Sequence, residues 1–326
     1  MPANFTSGWL GNGERAWHGM GVVTDGTLPA REAFETADAL FTVEKRELLY
    51  PVVESPLENI DLNLPFFHED MQQPAGVFGV VRTDTQALLG VVSKQYEIVQ
   101  NDSLLRMAEF IREEADMDSV VVLADGAKVA FTASLRGAET DIVPGDTIKR
   151  RIVGYLGHDG KTGCGAIFTN IRVVCCNTLA AALNSNNKVS IHHKGGANAN
   201  FDNLISSIDV ARQTFAQEAD LMREFARVSM GTEVFNEFVD EVYKLEEGQK
   251  FRKRDKLNRA FRFGMGADYA PFSVWNAVNA ITEVETSTRN QTAAGTRRQF
   301  ARANFGQGLQ ISNRAIDVAT AYLSAV

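Results

Sequence analysis

The sequence predicts an α+β fold, with a core of antiparallel β-hairpins and embedded helices followed by a mainly helical C-terminal region. Three observations point to it. β-rich runs come in adjacent pairs around turn-forming residues between positions 77 and 169. Helical periodicity dominates from position 202 onward, and the strand-helix-strand alternation of a parallel sheet is not visible. The chain accordingly divides into an irregular N-terminal segment (1–75), an α+β core (76–200) and a mainly helical region (201–326).

Taken in order, the first 70 residues read as irregular because Gly8, Gly11, Gly13, Gly19, Gly21 and Gly26 break any periodicity around Trp9 and Trp17. One helix is expected from Thr27-Leu28-Pro29, a cap followed by proline, to about Leu40, with strand-like residues next at Phe41–Val53. Two β-rich runs around Thr83-Asp84-Thr85 predict a hairpin over Val77–Val99. Asn101 or Asp102 then caps a helix whose Leu104, Met107, Ala108 and Ile111 share a face. Asp125-Gly126 predicts a second hairpin between Val120–Leu123 and Lys128–Leu135, since both residues tolerate positive φ. A third joins Ile148–Leu156 to Gly165–Thr169 through His158-Asp159-Gly160.

A buried helix is expected to open at Thr169 or Asn170 and run to Leu183, followed by a polar connector over 184–200 that contains His192 and His193. Next comes a long helix capped by Asp202, with Ile208, Ala211, Phe215, Met222 and Phe225 inward, and then a shorter one carrying Val234 to Tyr243. A basic stretch at Lys250–Arg262, a helix at Pro271–Glu285, a polar loop at Thr286–Arg298 and a terminal helix at Ile311–Ala325 complete the chain.

Composition narrows the function classes. Of 326 residues, 44% are hydrophobic and 23% charged, which is ordinary globular usage. Three cysteines, Cys164, Cys175 and Cys176, make no disulfide framework and suit a reducing compartment. No apolar run reaches the ~18 residues of a membrane span, and positions 1–13 lack a targeting pattern, so the expected location is the cytoplasm of a bacterial host cell, without membrane contact. The net charge of −8 is uneven: residues 1–148 carry −14 and residues 149–326 carry +6. The second half can therefore present a positive face, and the two halves can attract each other between copies.

The motifs of common chemistries fall short. Gly160-Lys161-Thr162 lacks the earlier glycine of a phosphate loop, since position 155 is tyrosine, and it reads as a hairpin turn. His158 with Cys164, and His192 beside His193, lack the paired spacing of a zinc site, so no metal or cofactor is expected. No Gly-x-Ser-x-Gly elbow occurs, and His18 in Trp17-His18-Gly19 has no visible acid or nucleophile beside it, so it is expected to pack rather than catalyse.

The positive signal is basic and aromatic. Lys250 to Phe263 holds seven cations, Lys250, Arg252, Lys253, Arg254, Lys256, Arg259 and Arg262, against one acid, with three phenylalanines interleaved. Cations attract a phosphate backbone and release its counterions, and aromatic faces stack on unpaired bases. Arg297 and Arg298 beside Phe300 repeat the combination, and Lys149 and Arg151, two apart in a strand, would share one side. Arg172 adds a further cation. The plainer alternative is a solvated helix face with Phe251, Leu257, Phe261 and Phe263 packed inward.

Four short blocks carry a resemblance: Ala16-Trp17-His18-Gly19-Met20-Gly21, Val43-Glu44-Lys45-Arg46, Arg172 to Leu179, and Trp275 to Glu283. In these the chain resembles a phage- and plasmid-related family of uncharacterised function, departing from it at Met20 and after Glu283. The resemblance implies a mobile-element setting and brings no catalytic residues with it. The hairpin-helix-hairpin layout is also similar to that of phage single-strand annealing recombinases, which assemble as rings or helical filaments. The expected function is thus non-enzymatic, oligomeric binding of single-stranded DNA or annealing intermediates in recombination or replication. Two alternatives stay open: a host-takeover or anti-defence protein acting by protein contact, and a nucleic-acid-processing enzyme.

Overall fold

The computed structural model describes residues 5–11, 21–51, 71–72, 76–172, 188–191, 202–246, 248–264, 266–286 and 307–325. Its frame is a seven-stranded sheet in the order β12-β11-β10-β9-β8-β1-β2. The strands are β1 (Phe5–Leu10), β2 (Val22–Val23), β8 (Ala115–Leu123), β9 (Lys128–Val143), β10 (Asp146–Gly157), β11 (Cys164–Arg172) and β12 (Lys188–Ile191). Every pairing in it is antiparallel except β1 with β2. A three-stranded antiparallel sheet joins β3 (Val43–Glu47), β6 (Val77–Arg82) and β7 (Leu88–Ser93), and β4 (Tyr50–Pro51) pairs with β5 (Met71–Gln72). The fold is α+β.

The three expected hairpins form. At the second, Ala124, Asp125 and Gly126 all take positive φ, of 53°, 59° and 109°. Gly126 is needed there twice over, because a Cβ would also meet the Phe41 ring. At the third, both oxygens of Asp159 are used: Oδ1 accepts the backbone N–H of Lys161 and of Thr162, and Oδ2 accepts the Thr162 hydroxyl. Gly160-Lys161-Thr162 is therefore an aspartate-closed turn.

Three expectations are corrected. The N-terminal segment contributes sheet: β1 lies beside β8, and Trp9 is fully buried in the main core. Tyr96–Val99 is not a strand; Tyr96 instead hydrogen-bonds the Gly157 carbonyl at 3.2 Å. The segment Thr169 to Arg172 continues β11 against β10 rather than opening a helix, because Ile148, Lys149, Arg150 and Arg151 offer it a full ladder. The remainder of that predicted helix, with Cys175 and Cys176, lies outside the described residues, as do Trp17, His18, His192 and His193.

Helices α1 (Ala30–Thr36) and α2 (Asn101–Phe110) pack on the large sheet, burying Phe34, Leu104, Leu105 and Met107 against Val120, Val122 and Phe131. Both caps differ from expectation. Thr27 bonds the Met117 carbonyl of β8 at 2.8 Å, leaving Pro29 to precede α1. Gln100 precedes α2 and uses its amide like a strand neighbour, accepting Val43 N–H and donating to the Val43 carbonyl. Asn101 turns inward, donating to the Phe41 carbonyl and accepting from His158 Nε2 at 2.8 Å, so the fully buried His158 is an inter-element tie.

The helical region comprises α3 (Asp202–Arg227), α4 (Thr232–Tyr243), α5 (Arg254–Phe263), α6 (Val274–Thr286) and α7 (Gln307–Ala325). Phe215 and Phe225 of α3 face inward as expected. Phe235 of α4 stacks on Phe261 of α5, ring centroids 4.1 Å apart and 5° from parallel. Two backbone bonds, Met230 N–H to Phe272 O and Val274 N–H to Val228 O, tie the end of α3 to the start of α6. Helices and sheet share one core cluster running from Trp9 to Ala319. No helix among the described residues is long and apolar enough to cross a membrane.

Candidate nucleic-acid interface

Why α5 forms where it does is written in its ends. Asp255 sits in the first turn and Arg262 in the last, both favourable to the helix dipole. Leu257, Ala260 and Phe261 are buried on one face. At 3.6 residues per turn, Asp255, Lys256, Arg259, Arg262 and Phe263 fall within roughly 120° on the opposite face, and Arg252 precedes them in the same direction. All six are exposed. The three phenylalanines therefore divide: Phe261 is core, Phe251 is half-buried against Tyr243 at 4.6 Å between ring centroids, and Phe263 is 81% exposed. Two residues beyond Phe261 is about 200° around a helix, so the spacing itself carried this signal.

Two adjacent hollows open along the stripe and share Asp255. One, of about 530 Å³, is lined by Asp240, Lys250, Phe251, Arg252 and Arg254 among others. The second, of about 380 Å³, is lined by Thr232, Asn236, Asn258, Arg259, Arg262 and Phe263.

The seven cations of this stretch do different work. Lys253 reaches inward to the almost fully buried Glu285, which also accepts the Tyr243 hydroxyl at 2.5 Å, and its ammonium lies 5.6 Å from the Tyr243 ring centre. Arg254 pairs with Asp240 and reaches Asn236. These two hold α5 to α4 and α6. Lys250, Arg252, Lys256, Arg259 and Arg262 lie exposed.

The cluster on the sheet comes apart. Lys149 remains at the surface, paired with its cross-strand neighbour Glu139 at 3.3 Å. Arg151 is only 6% exposed, held by Asp118 at 3.1 Å and Ser134 at 3.2 Å. Their cross-strand neighbours on β9 differ, Glu139 for Lys149 and Ser134 for Arg151, with a register shift between them. Arg150 is buried more deeply still, bonded to Glu218 of α3 at 2.7 Å, and burial lowers its pKa against the pull of that carboxylate. Arg172 ends β11 opposite Ile148, while Arg297, Arg298 and Phe300 lie outside the described residues.

Other chemistries gain little geometry. Cys164 is buried, and that burial pushes its thiol up to about 12, far from a reactive thiolate. Among the described residues no group of three or more His, Cys, Asp or Glu could hold a metal ion. Sequence reasoning missed Thr232, Asn236 and Asn258, neutral residues that meet only because α4 brings the first two beside the third on α5.

Set against curated proteins and against solved structures, the chain has no match in either. Residues 88–312, covering more than half of the chain and including β8 to α6, match the family described as Domain of unknown function (DUF932), and the chain belongs to that family.

Proposed function

We propose that this protein binds single-stranded DNA along the exposed face of α5, in the setting of a phage or plasmid, as a non-enzymatic partner in recombination or replication. The observation that carries the reading is the stripe itself: Arg252, Lys256, Arg259, Arg262 and an exposed Phe263 on one side of one helix, bordered by two hollows. Cations along such a face follow a phosphate backbone through counterion release, and an aromatic ring beside them tolerates any base sequence. The net charge of −8 does not oppose this, because a polyanion responds to local potential.

Assembly into rings or filaments around an annealing intermediate belongs to the same proposal. Its support is the layout similar to annealing recombinases, together with the opposed charge of the two halves. Part of that opposition is satisfied within one copy, since Lys149 pairs with Glu139 and Arg151 with Asp118.

The test is a gel shift with single- and double-stranded DNA across a salt series. Replacing Arg252, Lys256, Arg259 and Arg262 by alanine is expected to weaken single-strand binding strongly and to flatten its salt dependence, by about 0.7 in log–log slope per lost contact. Lys253→Met is the control: it should lower stability, because Glu285 loses a buried partner, while the slope stays put. A folded quadruple variant with an unchanged slope sinks the proposal.

A further inference from the structure

We infer that the hollow beside Phe263 is a seat for one unpaired nucleobase, stacked on the Phe263 ring and met at its edge by Asn258. This rests on the reading of α5 as a single-strand binding face, and it adds what the cations alone cannot supply, a requirement that the base be out of a duplex.

Phe263 is the starting point. It is the most exposed of the large hydrophobic side chains described, at 81%, on a helix whose other apolar residues are buried. Arg259 and Arg262 flank it in the hollow of about 380 Å³, within the ~300–1,000 Å³ of small-molecule sites. Phosphates on either side of a base would meet those guanidiniums while the base lies on the ring.

The remaining wall is Asp255 and three neutral residues, and the polarity of the neutral part is fixed by a relay. The Thr232 carbonyl can only accept, so it takes the Asn236 Nδ2 at 3.0 Å. Asn236 is thereby left with Oδ1 facing two donors, Arg254 Nη1 at 3.3 Å and Asn258 Nδ2 at 3.2 Å. Asn258 has then used its donor side. Its Oδ1 is covered from bulk water and meets no donor among the described residues. A covered acceptor without a donor is costly to leave so, and a small shift of the Asn258 amide toward the hollow it lines would uncover Oδ1 to an arriving donor. The exocyclic amino group of cytosine, adenine or guanine is such a donor. In a duplex that edge is paired and both faces of the base are stacked, so only an unpaired base offers all three contacts.

Fluorescence anisotropy across a salt series tests it, using a labelled mixed-sequence single strand and the same backbone without bases. The wild type should favour the base-bearing strand about tenfold, the effect of roughly one stacked base. Phe263→Ala should bring that strand down to the abasic level with the salt slope unchanged, and Phe263→Trp should keep the preference. Since the ring is exposed, these variants should fold. A cytosine strand should also bind more tightly than an N3-methylthymine strand, whose pairing edge carries no donor, and Asn258→Ala should erase the difference. A preference for bases that survives Phe263→Ala, or equal binding of cytosine and N3-methylthymine strands by the wild type, overturns the base seat while leaving the cationic face standing. Absence of any single-strand binding at low salt removes both.

Discussion

The indole N–H of Trp275, on α6, donates to the buried carboxylate of Asp146 at 2.8 Å across 129 residues of sequence. Asp146 opens β10 just after the β9–β10 turn, so this bond fastens the tip of the longest hairpin to the helical layer. Arg223 and Arg150 make parallel ties from α3 to the same two strands. The face of α5 is held through α6 to this junction, because Asn276 on α6 bonds the Phe261 carbonyl of α5 at 2.6 Å.

Trp275→Phe should therefore cost about 2 kcal/mol, the range for leaving a buried polar group short of a partner. Urea unfolding should show a lower midpoint with an unchanged m-value. If the bond is surface decoration rather than a structural tie, the midpoint will not move.

Gly154 and Phe131 face each other across β9 and β10, and a Cβ at 154 would come within 2.1 Å of Phe131 Cε1. Phe131 is fully buried against Phe34 at 6.2 Å between ring centres, so it cannot swing aside freely. Gly154→Ala is expected to destabilise by ~1–3 kcal/mol through overpacking, and Phe131→Leu should recover part of that in the double variant. Additive losses in calorimetry would contradict the direct clash.

Asp159 gives a pH signature. Burial by itself raises its pKa, but the N–H groups of Thr162 and Lys161, the Thr162 hydroxyl and Lys128 outweigh burial and hold the carboxyl below its ordinary value. A depressed folded-state pKa contributes stability above the ordinary carboxylate range and loses it as pH falls through the depressed value. Asp159→Asn should thus be less stable than wild type at neutral pH, and the gap should close on acidification. Urea midpoints taken down the acid range check this; a gap that stays constant would place the stabilisation elsewhere.

By itself the sequence determined what is local. Turn chemistry at Asp125-Gly126 and His158-Asp159-Gly160 located two hairpins, and the spacing of Leu104, Met107, Ala108 and Ile111 located α2 and its buried face. Helix periodicity found α3, α4, α6 and α7 because each buries one stripe, a pattern visible within a few turns, whereas α5 was legible only as a basic stretch with a helix face as the plainer alternative. Tertiary structure alone decided the rest. Nothing near Trp9 announces that β1 completes a sheet beside β8, since the partner lies over a hundred residues away and glycines mask the alternation. That Lys149 meets Glu139 at the surface while Arg151 is buried on Asp118 and Ser134 depends on how the strands fit, not on any one of them. Likewise the cations of Lys250 to Phe263 look alike in a row of letters. Which are spent inside, as Lys253 on Glu285 and Arg254 on Asp240, and which face solvent, as Arg259 and Arg262, follows from where α4 and α6 deliver their carboxylates. Charge is a property of the residue, but its availability is set by the neighbours that folding brings within hydrogen-bond reach.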